Sequence, residues 1–295
     1  MKRILYKIFK GFLIFLSLPP LWVGYLFSDL LFLFIYYIIG YRKKITIQNI
    51  KNSFPEKTDR EIKIISKKFY RYLCDLVIEI MKMSTISRRQ IIKRCTFSTD
   101  TTKLIQQLYD QKKNLLFAMG HFGNWEWASP ITSLITNYQL FALYKPISSS
   151  FFNQFMYDIR TRFGSKLINM NHAWKEMLKN QASGSIHATA FITDQTPSAT
   201  NAYWTTFLNQ DTAVFTGIEK IAQKLNCPVV FVSVRKVKRG YYCIHTELIV
   251  EDSINTKAGE ISELHTRKLE EEIRRQPEIW LWSHRRWKHK RPVTL

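Results

Sequence analysis

Cysteine is scarce and scattered: Cys74, Cys95, Cys227 and Cys243 form no C-x-x-C pair, and no histidine lies at metal-ligand spacing. On sequence grounds that argues against a metal site and a disulfide framework, and leaves reduced, mostly core thiols as the expectation. Acidic residues are also few, 23 against 44 Lys and Arg, for a formal net charge of +21. Such an imbalance calls for anionic partners: nucleic acid, an anionic membrane surface, or an acidic protein or phosphorylated substrate. Internal repeats and long linkers are missing too. With 295 residues, 46% of them hydrophobic, the chain has material for one catalytic domain plus an appendage, and does not have the composition of a disordered protein.

What is present begins with an apolar N-terminus. From Gly11 to Tyr41 the only charged residue is Asp29, and Pro19-Pro20 interrupts the run. No small-residue cleavage site follows a short apolar core, so the segment does not read as a signal peptide. Leu21 to Ile39 comes close to the ~20 residues a spanning helix needs. Basic residues flank both sides, Lys2, Arg3, Lys7 and Lys10 before and Arg42, Lys43 and Lys44 after. If positive flanks stay cytoplasmic, both ends prefer one side, which favours a kinked hairpin or an in-plane anchor over a single span. Residues 1–45 are therefore expected to be a membrane anchor and 46–295 a catalytic domain with a basic tail.

Beyond the anchor, residues 56–95 read as helical, with Ile62, Ile65, Phe69, Leu73, Leu76 and Ile80 at three- and four-residue spacing and lysines between them. Short apolar runs then alternate with helical segments: strands at Leu115–Met119, Gln139–Leu143, Ile186–Ile192, Val229–Val234 and Tyr242–Val250, and helices after Asn124 and around 151–163, 173–180, 217–225 and 258–275. That alternation predicts an α/β domain whose sheet is covered by helices.

The motif Gly120-His121-Phe122-Gly123-Asn124-Trp125-Glu126 follows the strand LLFAM and precedes a helical pattern. His121 is thus expected at a strand's carboxyl end, where ligands of open α/β sheets bind. A loop could fold Glu126 back onto the imidazole; a histidine held by a carboxylate is fixed in one tautomer and better suited to deprotonate an alcohol. The pair reads equally as a strand-capping His and a Glu favourably placed at a helix N-terminus.

H-x-x-x-x-E at this place, behind a basic-flanked apolar N-terminus, resembles the lysophospholipid acyltransferase superfamily and specifically its bacterial lipid A biosynthesis branch. Further motifs follow in order: Tyr144-Lys145-Pro146, with Lys where Arg is usual; Arg160-Thr161-Arg162-Phe163-Gly164; Asp194-Gln195; Thr206-Phe207-Leu208 through Thr216-Gly217, with Leu208 and Asn209 as departures; Arg235; and Trp280-Leu281-Trp282-Ser283-His284-Arg285-Arg286-Trp287-Lys288. The E-G-T-R-S phosphate motif of the glycerol-phosphate enzymes is absent, its place taken by D-Q-T-P.

The resemblance implies an O-acyltransferase with a lysophospholipid-acyltransferase-like sheet. It would move a fatty acyl chain from acyl carrier protein to a hydroxyl of an anionic glycolipid, a lipid A precursor, at the cytoplasmic face of the inner membrane, without a cofactor. His121 is then the general base, Glu126 its orienter and Arg160 the donor to the developing oxyanion, with Arg162 as second choice. Asp194 orients an arginine or positions the acceptor, or is a turn-forming Asp before Pro197. Asn124, Arg162, Asp194, Arg285, Arg286 and Lys288 form the expected substrate contacts, the last three meeting phosphate. Trp280 and Trp282 are expected in the core. Two other readings stand beside this one: an acyltransferase for another amphiphile, and a membrane-tethered nucleic-acid-binding protein, for which no recognisable module speaks.

Overall fold

The computed structural model describes residues 2–292; Met1 and the last three residues of the expected 46–295 domain lie outside the described residues, as do the Lys2 and Asn201 side chains. The N-terminal third is helical: α1 (Lys2–Ser17), α2 (Leu21–Leu33) running into a π-helical turn (Phe34–Ile39), α3 (Lys43–Ser53), α4 (Asp59–Lys82) and α5 (Arg88–Arg94). Alternation follows through β1 (Cys95–Phe97), α6 (Thr99–Asp110), β2 (Leu115–Met119), α7 (Trp125–Ile135), β3 (Gln139–Tyr144), α8 (Ser150–Thr161), β4 (Lys166–Asn169), α9 (Ala173–Ala182) and β5 (His187–Ile192). A hairpin, β6 (Tyr203–Phe207) and β7 (Gln210–Val214), precedes α10 (Gly217–Leu225), β8 (Val229–Lys238), β9 (Tyr241–Val250) and α11 (Glu260–Arg275).

Among the described residues, seven strands form one sheet in the order β1-β9-β8-β2-β5-β3-β4. The run from β8 to β4 is parallel, while β9 is antiparallel to β8 and pairs in parallel with β1. The central strand β2 is apolar throughout and buried at every position, the pattern of a strand covered on both faces. Leu115, Phe117 and Met119 pack with Ile105 of α6 and Trp127 and Ile131 of α7. Leu116 and Ala118 pack on the opposite face with Ile218 and Ile221 of α10 and Ile261 of α11. The α/β expectation holds.

Residues 56–95 are not one helix. Met83 and Ile86 turn inward, at 0% and 1% exposure, and Ser87 starts α5 with a capping box to Gln90; two reciprocal cap bonds end the periodicity that α4 set up. Cys95 already belongs to β1. The three-residue β1 and four-residue β4 are too short to leave a pattern in the sequence.

Leu21–Ile39 is one helix long and apolar enough to cross a membrane by length and composition. It is nevertheless packed along one side: Leu21, Tyr25, Ser28, Phe32 and Tyr36 are buried, while Trp22, Leu26, Phe27 and Leu30 are exposed. The buried stripe meets α4. Asp29, the lone charge of the run, pairs with Arg239 at the β8–β9 turn, 2.8 Å away, and the same guanidinium binds Asp75 of α4, to which Ser28 Oγ also donates. On α1, Tyr6 donates to Asp158 of α8 and Lys10 pairs with it, and Ile4, Ile8, Phe12 and Phe15 face outward.

Candidate active site

Strand pairing builds the centre of the site. β2 and β5 run side by side with Met119 opposite Ile192, so two residues further along each chain His121 comes opposite Asp194. The His121 Nδ1 lies 2.6 Å from Asp194 Oδ1, and the His121 backbone N–H donates to Oδ2 at 2.8 Å. Trp280 Nε1 donates to the same Oδ2 at 2.8 Å. Burial raises the proton affinity of the Asp194 carboxyl, but the His121 imidazole and these hydrogen bonds outweigh it and hold the pKa at about 2. An ionised carboxylate at Nδ1 assigns the ring proton to that nitrogen and leaves the Nε2 lone pair free to accept. Gln195 Nε2 lies 3.3 Å from it, and Trp125 packs edge-on against the ring.

The loop behind His121 is clamped from three sides. Gly123 has φ +59° and sits where a Cβ would strike the Val234 carbonyl, so only glycine fits. Its N–H donates to the Ile279 carbonyl and its own carbonyl accepts from Tyr72. Asn124, wholly buried, caps α7 by accepting from the Trp127 N–H and donates to Glu79 Oε2 at 2.7 Å. Both ends of the side chain are engaged inside the protein, so Asn124 supports the loop. Glu79 also accepts from Tyr25 of α2 and Tyr242 of β9, and burial pushes its carboxyl up to about 7.

Glu126 lies in the first turn of α7 but does not reach His121 Nδ1, which Asp194 occupies. It forms a two-pronged pair with Arg160 of α8, at 2.8 Å from Nε and 2.5 Å from Nη2. Burial opposes ionisation of Glu126; the Arg160 guanidinium outweighs it and holds the carboxyl below its usual range. Arg162 instead donates through Nη1 to the Met83 and Ile86 carbonyls, bracing the α4–α5 turn. Arg235 is engaged by Glu272 of α11. A cavity of about 1200 Å³ is lined by His121, Glu126, Arg160, Lys145 and Gln195, and by residues of both sheet faces, among them Met119, Val232, Phe97 and Ile105 on one and Phe191, Ile218 and Trp174 on the other.

The model of the family described as bacterial lipid A biosynthesis acyltransferase matches residues 4–289. The chain belongs to that family. No curated protein matches it.

As an acyltransferase of lipid A biosynthesis type, the chain divides its basic C-terminal run between two environments. Arg285 and Lys288 are exposed, whereas Arg286 is 3% exposed and cannot meet a ligand at the surface. Trp280 and Trp282 are core residues, at 2% and 0% exposure. Sequence reasoning placed Asp194 with an arginine or the acceptor; in this acyltransferase it holds the histidine. The D-Q pair after a strand was the available signal, since adjacent parallel strands end at the same level. Trp280 and Glu79 carried no such signal, because their partners come from segments distant in the chain.

Proposed function

We propose that the protein transfers a fatty acyl chain from an acyl thioester, carried by acyl carrier protein, to a hydroxyl of a lipid A precursor. The observation that carries this reading is the His121–Asp194 pair at the mouth of a long apolar cavity, in a chain of this family. His121 Nε2 accepts the hydroxyl proton as the oxygen attacks the thioester carbonyl, and Asp194 steadies the imidazolium that forms. Arg160, oriented by Glu126 through Nε and Nη2, keeps Nη1 for the oxyanion. Collapse of the tetrahedral intermediate breaks the C–S bond, and the imidazolium returns its proton to the leaving thiolate. The acyl chain lies in the apolar cavity.

In this reading α1 and α2 lie in the plane of the cytoplasmic face of the inner membrane. Their outward apolar faces enter the lipid, while the Asp29–Arg239–Asp75 contacts keep α2 on the domain. Lys68, Arg71, Lys236 and Lys238, with Asp29, Asp75 and Glu278, line a cleft of about 690 Å³ beside α2, and its surplus of basic side chains would meet anionic headgroups. Arg285 and Lys288 meet acceptor phosphate.

The test is transfer of labelled acyl groups from acyl carrier protein to a Kdo-lipid A precursor by the purified enzyme. His121→Ala and Asp194→Asn are each expected to cut turnover by ~100-fold or more, with circular dichroism unchanged. Full activity in His121→Ala would sink the mechanism. Mass spectrometry of lipid A from a deletion strain should show one acyl chain missing; intact lipid A would redirect the assignment to another amphiphile.

A further inference from the structure

Arg286 is a buried cation with no salt-bridge partner among the described residues. Its Nε and Nη1 are buried and have no hydrogen-bond partner among the described residues. The backbone at Arg286 is pinned by Thr196 Oγ1, which donates to its carbonyl at 2.7 Å. Burial lowers the guanidinium pKa to about 10, so it stays charged at neutral pH. Left unpaired, such a group costs stability.

Two contacts bring the Arg286 segment to one acid: Thr196, whose Oγ1 holds the Arg286 carbonyl, lies two residues beyond Asp194, and Trp280, six residues before Arg286, donates to Asp194 Oδ2. His265 of α11, its Nδ1 3.3 Å from Thr193 Oγ1, is kept neutral by burial, with a pKa of about 4, and so is His284, also about 4. Tyr72 of α4 keeps its proton. Glu126 and Arg160 neutralise each other. What remains is the Asp194 carboxylate, the acid whose charge acts on Arg286. An arginine bonded directly to Asp194 would compete for the oxygens that already serve the imidazole, the His121 N–H and the Trp280 indole. No Arg286 nitrogen is bonded to Asp194 among the described residues, so the guanidinium supplies charge without taking a lone pair.

We propose that Arg286 is a positioning residue whose unpaired buried charge offsets that of Asp194, so that His121 passes on the proton it accepts instead of retaining it. This rests on the acyl-transfer reading above. A buried carboxylate against an imidazole favours the imidazolium, and a nearby cation opposes it by the same Coulomb law.

The experiment compares Arg286→Met, Arg286→Gln and Arg286→Lys in the full-length protein. Removing the charge is expected to move the acid limb of the kcat/KM profile up by on the order of one pH unit, about tenfold less activity below the limb, with recovery at higher pH. Arg286→Lys should stay near the parent profile. Arg286→Met should melt no lower than the parent, because it removes an uncompensated buried charge. The rate of His121 carbethoxylation by diethyl pyrocarbonate, followed against pH by peptide mass spectrometry, should shift in the same direction. That readout involves no acyl transfer, so it separates this inference from the underlying one, which His121→Ala tests. Superimposable profiles, a loss of activity equal at every pH, a raised acceptor KM alone, or unfolding of both neutral variants would overturn the proposal.

Discussion

Glu126 and Arg160 show how a residue's partner decides its part. A buried carboxylate in the first turn of α7 is tolerable because Arg160 meets both of its oxygens, and removing one partner strands the other. Arg160→Met is therefore expected to lower the unfolding free energy by ~3 kcal/mol. The Glu126→Leu/Arg160→Met double variant should recover most of that loss, as read by chemical denaturation. Glu79 makes the opposite electrostatic case. Burial raises its pKa to about 7, so the folded protein binds a proton that the unfolded chain has already released in the ordinary carboxyl range. The stability this group contributes is full below that range and is lost as pH rises through about 7. Glu79→Gln can keep the contacts to Tyr25, Tyr242 and Asn124 by turning its amide toward Tyr25. Its melting temperature should vary less than the parent's between about pH 5 and 8, and at the upper end should equal or exceed it. A parent-like pH slope in the variant would rule out Glu79 as the source.

Elements act here through their ends. The ends of β2 and β5 bring His121 to Asp194; the start of α7 offers Glu126 to the last turn of α8; the 277–282 segment closes over the loop through Ile279, Trp280 and Leu281. The cavity crosses from β3 and β5 under β2 and β8 to β1 and α6 at the sheet edge. If the proposed acyl chain follows this side of the cavity, it ends against Phe97 and Ile105. Ile105→Ala is expected to shift donor preference toward chains about two methylenes longer, because the space vacated by the side chain is filled by substrate. Competition between acyl donors of different length measures this, and an unchanged preference would place the end of the chain elsewhere.

Taken whole, the molecule pairs an apolar outer surface on α1 and α2 with a cleft beside it in which Lys68, Arg71, Lys236, Lys238 and Arg239 outnumber Asp29, Asp75 and Glu278, and the proposed work at an anionic lipid surface would use both. Replacing the exposed Phe27 and Leu30 by Asp removes two side chains, each worth about 2 kcal/mol when buried in lipid. Binding to anionic vesicles should fall by ~100-fold or more, with kcat in detergent little changed. High salt should weaken vesicle binding of the parent less than this substitution does, since headgroup attraction is screened and apolar insertion is not. Equal sedimentation of parent and variant would argue against insertion of this face.

By itself the sequence determined the apolar N-terminus, the strand and helix alternation, and the placing of His121 after a strand, because these depend on composition and on periodicities within a few residues. The lone Asp29 had no partner legible in the sequence; the tertiary structure supplies Arg239, more than two hundred residues away. Likewise the spacing of His121 and Glu126 pointed to a pair, and strand register chose Asp194. Arg286 was expected from the sequence to meet substrate phosphate and is buried in the fold. Which groups share a low-dielectric interior, and so which charges must find one another, follows from packing between distant segments and from no local pattern.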